Sequence, residues 1–211
     1  MLKNLMIKDF IEELGSSSPA PGGGSVSALS AALASALGSM VFNLTVGKKN
    51  YEELSEADKN KIQNSLNETK NGSDEFLKLM EEDTESFMQL MSAFKLPKDT
   101  EENKNVRKEK IQQGYKAAIE VPLKVADCAF KIYDYILTAS ELGNINAVSD
   151  AGVAALLTQA AIEGAVLNVK INLSSLKDEA YKAEISKQIN KLATEGIQRR
   201  DHILNIVESK L

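Results

Sequence analysis

The sequence predicts an all-α protein, a single helical domain over residues 1–211 built around two central apolar helices and paired as a homodimer. Three observations predict it. Alternation at the strand period is absent throughout. Two long stretches, beginning near Ser25 and Asp150, are nearly free of charge yet rich in Ala, Ser and Gly, as buried helices are. The other segments repeat apolar residues at helical spacing with charges between them. With few aromatic residues, close packing of small side chains carries such a core. The second apolar helix has more small-residue faces than one small domain hides, and this predicts the homodimer.

Taken in order, residues from about Met6 to Leu14 form a short amphipathic helix closed by Gly15. In Ser18-Pro19-Ala20-Pro21 the prolines fix two φ angles, and Gly22, Gly23 and Gly24 admit close backbone approach. Ser25 follows as a natural N-cap. Pro21 to Ser25 are therefore either a binding surface, with helix N–H groups facing an anionic or carbonyl-bearing ligand, or a capped glycine connector. Gly47-Lys48-Lys49 is no phosphate loop, because Phe42 stands where a glycine is needed and no Ser or Thr follows Lys48. Between Glu13 and Lys48 there is no formal charge, but the Ala/Ser/Gly composition suits a buried bundle helix rather than a lipid-facing one. Leu29, Leu33, Leu37, Met40 and Leu44 recur at helical spacing, while Ala31, Ala34, Gly38 and Val41 make a thinner face. A helix apolar all round is expected to be buried all round.

Asn50-Tyr51 begins a turn. Residues from about Glu56 to Phe94 read as one long helix or two in line, with a weak point at Asn71-Gly72. Leu96-Pro97 breaks the pattern, and Lys98 to Lys110 restarts a helix running through Ala118. Pro122 is expected to kink it before it continues through Val125, Ala129, Ile132 and Ile136. Glu141 to Asn144 form a loop, Ser149-Asp150 cap the second apolar helix, and the last helix runs from about Lys177 to Ser209.

Composition narrows the function. A net charge of −5 without a basic cluster argues against nucleic acid or an anionic membrane as partner. The lone Cys128 forms no internal disulfide, which suits a reducing cytoplasm. One His and one Cys far apart offer no zinc set, so no metal is expected. No Ser/His/Asp or Cys/His nucleophile is supported, which leaves carboxylates, lysines and amides to do any chemistry. Asp83 lies between Met80 and Phe87 on an apolar stripe. It is either a general acid or base with a pKa raised by burial, or a polar group at the rim. Asp150 is either a site carboxylate or an N-cap or first-turn residue. Asn168 and Asn172 share a helix face, and with Asn43 they put three amides near the ends of buried helices. Lys48 and Lys49 either complement a helix C-terminus or bind a carboxylate tail, and His202 is a surface residue.

The stretches PAPGGGSVSAL (19–29), MVFNLTVGKK (40–49), EVPLKVAD (120–127), NAVSDAGVAALL (146–157) and AVLNVKINL (165–173) together resemble the cyclodeaminase/cyclohydrolase family. That family includes the C-terminal half of formiminotransferase-cyclodeaminase and free-standing methenyltetrahydrofolate cyclohydrolases. The resemblance implies an all-helical homodimer with folate in a cleft at or near the subunit interface. It also implies a tetrahydrofolate derivative as substrate and no tightly bound cofactor. Carried over, Pro21 to Ser25, Lys48, Asp83, Ser149 and Asp150 are expected near the cleft, and Asn168 and Asn172 belong to the matching block. The expected catalytic set is Asp150, Asp83 and Lys48, and the expected reaction is hydrolysis of 5,10-methenyltetrahydrofolate to 10-formyltetrahydrofolate. The alternatives are a formiminotetrahydrofolate cyclodeaminase and a noncatalytic folate-binding dimer.

Overall fold

The computed structural model describes residues 1–211 and contains helices and turns but no strand. After a single 3₁₀ turn, α1 (Ile7–Leu14) ends at Gly15, and a turn with a cis Ala20–Pro21 peptide leads into α2 (Gly23–Asn43). The one-turn α3 (Lys49–Glu52) precedes the long pair α4 (Glu56–Phe94) and α5 (Glu101–Leu142). A 3₁₀ turn at Ile145–Ala147 then feeds α6 (Val148–Leu173), and α7 (Glu179–Glu208) closes the chain.

Three helix starts are sealed locally. Ser55, Thr100 and Asp178 accept the backbone N–H of Asp58, Asn103 and Tyr181 and so satisfy donors that a helix N-terminus leaves open. At the other end of α5, Lys210 donates from Nζ to the Ser140 and Glu141 carbonyls, both at 2.7 Å, tying the C-terminus of α7 to that of α5.

The bundle packs through small residues. α2 lies against α4 and α6, and α6 also packs on α5 and α7. The buried side of α2 is Ala28, Ala31, Ala34, Ser35 and Gly38, and that of α6 includes Ala154, Ala161 and Ala165. Because these side chains are short, α2 and α6 approach until a Cβ on Gly164 would overlap the Ser27 hydroxyl. A buried polar chain ties α5, α6 and α7 together. Tyr133 donates its hydroxyl to Gln159 Oε1 at 2.9 Å, and Gln159 Nε2 donates to Glu163 Oε1 at 2.8 Å and to the Ala193 carbonyl at 3.3 Å. Burial raises the Tyr133 phenol pKa, which keeps the proton this chain requires.

The structure corrects several local expectations. Asn71-Gly72 does not interrupt α4, since Gly72 packs against Ser35 and Ile132 inside the bundle. Pro122, by contrast, falls inside a helix that continues past it, as expected, with α5 running from Glu101 to Leu142. Asn50-Tyr51 belong to the one-turn α3 rather than a simple turn. Ser25 is not an N-cap, because α2 begins at Gly23 with Gly22 before it. Ser149 and Asp150 do not cap α6; they lie in its first turn, and the residue before it, Ala147, has no capping side chain. Nor is α2 buried all round. Its small face is inside, and of the stripe of larger residues Leu33, Met40 and Leu44 are exposed, Leu33 by 51% and Met40 by 45%, while Leu29 and Leu37 are half-buried against the core. Small side chains permit the closest helix approach, so the Ala/Gly/Ser face takes the interior, joined by Val41 and Phe42 near the end of the helix, and Leu33 and Met40 are left at the surface.

Candidate functional site

A cleft of about 190 Å³ lies where the N-terminus of α2 meets the middle of α4 and the C-terminal part of α6. Its walls come from the glycine turn, from Asp83, Thr84, Ser86 and Phe87 on α4, from Ala118 on α5, and from Asn168 and Asn172 on α6.

The Pro-Gly turn serves this cleft by letting α4 come close. Gly24 is buried so tightly beside Asp83 that any Cβ there would overlap the carboxylate. Ser25, the third residue of α2, is fully buried and donates its hydroxyl to Asp83 Oδ2 at 2.9 Å, and its backbone N–H also serves that carboxylate. Thr84 Oγ1 lies 3.2 Å from the same hydroxyl. Asp83 therefore supplies, from another helix, the anionic cap that the first turn of α2 lacks. Burial pushes the Asp83 carboxyl above its ordinary value, and the two Ser25 hydrogen bonds oppose that rise without cancelling it.

The two amides are oriented by backbone carbonyls. Asn168 Nδ2 donates to the Gly164 carbonyl at 2.8 Å, and Asn172 Nδ2 donates to Asn168 O at 2.9 Å and Ala118 O at 3.1 Å. A carbonyl accepts only from the NH₂ side of an amide, so each Oδ1 is left free to accept from a ligand. The Ala118 carbonyl is available because the residue four further on is Pro122, which has no N–H to bond it. The α5 proline thus leaves an acceptor that anchors Asn172.

The remaining expected residues lie elsewhere in the chain. Lys48 follows the C-terminus of α2 and lines a separate pocket, and Ser149 and Asp150 open α6. That end of the molecule is held together by Asn144, whose N–H donates to Thr45 Oγ1 at 2.8 Å and whose Nδ2 donates to Leu44 O at 2.9 Å. Since α2 has 21 residues, it separates Lys48 from the Gly22–Ser25 turn by about 30 Å. One chain therefore does not bring Asp83 together with Lys48 and Asp150. Asn43 is exposed and faces Lys70, Ser73 and Asp74 in a third hollow. Sequence reasoning missed Thr84, Phe87 and Ala118. Of these only Ala118 had a signal, its position four residues before a proline within a helix.

Chemically the cleft suits acid–base work: one half-buried carboxylate, two amide acceptors and glycine-turn backbone, with no cysteine, histidine or lysine in its lining. The chain belongs to the formiminotransferase-cyclodeaminase family, whose model matches residues 6–191. It is 39% identical to the methenyltetrahydrofolate cyclohydrolase of Methylorubrum extorquens across the whole of both chains. It is also 35% identical, over 95% of its length, to the formimidoyltransferase-cyclodeaminase of Gallus gallus, of which it spans 36%. Among solved structures, the formiminotetrahydrofolate cyclodeaminase of Thermotoga maritima superposes with a TM-score of 0.81 at 26% identity, covering 100% of this chain and 98% of that one.

Proposed function

We propose that the protein hydrolyses 5,10-methenyltetrahydrofolate to 10-formyltetrahydrofolate. The observation that carries this reading is end-to-end likeness to a methenyltetrahydrofolate cyclohydrolase together with a cleft whose only ionisable lining group is the half-buried Asp83. In the reaction, water adds to the electron-poor carbon bridging N5 and N10. The C–O bond forms as the water gives up one proton; the hydroxyl of the adduct then loses its proton to solvent as the C=O forms, the C–N5 bond breaks, and N5 takes a proton, so that one proton is released overall. One carboxylate can accept the first proton and return it to N5. Asp83 fits that role, because burial brings its pKa closer to working pH and Ser25 fixes the direction of its oxygens. Ser25 is a positioning residue, not a ligand contact as expected from sequence, because its hydroxyl is committed to Asp83. The free Oδ1 atoms of Asn168 and Asn172 would accept the N–H groups along the pterin edge.

Lys48 and Asp150 enter this reading through a homodimer. The exposed side of α6 carries Val153, Leu156, Ala160, Leu167 and Ile171, with Leu167 66% and Ile171 69% exposed. Val153 and Leu167 lie seven residues on either side of the small Ala160, so a twofold axis there would pair two antiparallel copies of α6 through matching residues. The outward leucines of α2 would be covered by the same axis, making α2 and α6 the centre of the dimer. Each Lys48–Asp150 end would then meet the partner's Asp83 cleft, with Lys48 holding ligand charge and Asp150 beside the bound folate.

The likeness to a formiminotetrahydrofolate cyclodeaminase favours a second reading. There N10 attacks a formimino carbon and ammonia leaves, through a similar tetrahedral carbon. Stopped-flow absorbance of 5,10-methenyltetrahydrofolate separates the two against a buffer blank. Enzyme-dependent decay is the expected result. Appearance of the chromophore with ammonia release from 5-formiminotetrahydrofolate would replace it with the second reading, and silence with both would reject an enzyme.

A further inference from the structure

We infer that Thr84 is a second positioning residue of the proposed reaction: its hydroxyl donates to Ser25 Oγ and so keeps the one Ser25 proton aimed at the Asp83 carboxylate. The inference deepens the reading above and rests on Asp83 as the proton-transfer group.

The supply of protons sets the direction of the bonds. Ser25 Oγ lies 2.9 Å from Asp83 Oδ2 and 3.2 Å from Thr84 Oγ1, and Ser25 is fully buried. A hydroxyl has one proton to give and two lone pairs with which to accept, whereas an ionised carboxylate only accepts. The Ser25 proton therefore goes to Asp83, and the contact with Thr84 is made with the Thr84 proton. The three groups form one line, from Thr84 through Ser25 to Asp83, that ends on a negative charge. Bonds in such a line strengthen one another, by roughly 10–30% each, and the bond that meets the charge is the strongest.

Thr84 departs from what a threonine inside a helix usually does. Thr69, Thr138 and Thr158 each give their hydroxyl to the carbonyl four residues back, at 2.8, 3.0 and 2.8 Å. Thr84 instead turns its hydroxyl across to α2. It also lines the cleft beside Asp83, while Ser25 lies behind the wall. The line thus starts at the cleft, passes through a buried hydroxyl and returns to the cleft carboxylate.

Both hydroxyls can turn. When Asp83 holds a proton on Oδ2 the line runs the other way, with Thr84 as the last acceptor, so Ser25 keeps its partners in both states that a proton-transfer group alternates between. The ionised state gains more, because there the bonds end on a charge. Loss of the Thr84 hydroxyl should therefore raise the Asp83 pKa beyond the rise that burial already causes. No other charged group competes for this effect. α2 carries no charge before its end, α5 and α6 bring Ala118, Asn168 and Asn172 to the cleft, and α4's own acids are turned elsewhere. Glu81 accepts the Lys3 N–H, Glu82 pairs with Lys78 at 3.4 Å, and Glu85 is exposed.

The test uses the full-length protein with Thr84→Val, which keeps the branched shape and removes the hydroxyl, and Thr84→Ser, which keeps the hydroxyl. Turnover of methenyltetrahydrofolate is followed across pH. The Asp83 carboxyl is titrated separately in the ligand-free protein by carboxyl-carbon NMR of aspartate-labelled samples, its signal assigned with Asp83→Asn. In Thr84→Val, kcat should fall about tenfold with KM nearly unchanged, and the acid limb of the rate profile and the carboxyl titration should both move up by about half a pH unit. Thr84→Ser should restore all three. A carboxyl titration that stays in place in Thr84→Val, or a Thr84→Ser variant as impaired as Thr84→Val, would overturn the inference. The titration does not depend on turnover. A shift seen in a protein that hydrolyses no methenyltetrahydrofolate would uphold the Thr84 line and reject the cyclohydrolase reading alone.

Discussion

Asp83 works against the fold that holds it. Its carboxylate receives two hydrogen bonds from Ser25 and faces the positive end of α2, but its loss of water on burial outweighs both, and its pKa rises. The sign for stability follows. A carboxyl whose folded pKa is raised carries no penalty below its unfolded pKa, and stability is lost as pH rises through the folded pKa. Above the folded pKa the penalty is fully present. Asp83→Asn keeps an acceptor for the Ser25 hydroxyl and removes the charge, so the variant should melt higher than wild type at pH 7. That gain should shrink to nothing as pH falls below the ordinary carboxyl range. Turnover should drop by about 10²- to 10⁴-fold, the usual worth of a positioned proton-transfer group. In wild type the pH–rate profile should lose activity on the acid side at a pKa above that of a free aspartate. A variant that melts lower at pH 7, or that turns over normally, would make Asp83 a helix cap and nothing more.

At the scale of elements, what was legible in the sequence depended on whether local rules decided the outcome. Six of the seven helices, all but the one-turn α3, could be read because periodicity and breakers act within a few residues, and Asp83 because a carboxylate on an apolar stripe is anomalous wherever it packs. The faces of α2 could not be read that way. Composition showed it apolar all round, but which side turned inward depended on how closely α4 and α6 could approach, a tertiary property. The cap of α2 was misassigned to Ser25 for a similar reason, since the capping carboxylate comes from 58 residues away. The α2–α6 contact carries a clean test of this packing argument. Gly164→Ala should destabilise by about 1–3 kcal/mol, because its Cβ meets the Ser27 hydroxyl in a contact without spare room. Ser27→Ala removes that obstacle. In a double-mutant cycle read by denaturant unfolding, the double variant should recover most of the loss, with a coupling of about 1 kcal/mol or more. Simple additivity would show that the two helices adjust independently of this contact.

The whole molecule presents a division that one chain cannot resolve: Asp83, Asn168 and Asn172 at one end of α2 and α6, Lys48 and Asp150 at the other. If twofold pairing rejoins them, the consequence is arithmetic. Each cleft would contain the Asp83 end of one subunit and the Lys48 end of its partner. An Asp83→Asn homodimer and a Lys48→Met homodimer would each carry one defect in both clefts, and both should be inactive. A hybrid of one chain of each kind would place both defects in one cleft and leave the other wholly native, restoring about half of wild-type activity. Random reassortment makes about half of all dimers hybrid, so the mixture should recover about a quarter of wild-type turnover. Co-expression with two different affinity tags isolates the hybrid and measures it directly. If Asp83 and Lys48 acted within one chain, the hybrid would have no intact site and would stay silent. A partner variant, Leu167→Asp, should place a charge in the apolar stripe, shift the protein toward monomer in ultracentrifugation, and abolish turnover while the circular dichroism stays helical. Full turnover by a monomer would remove the composite cleft.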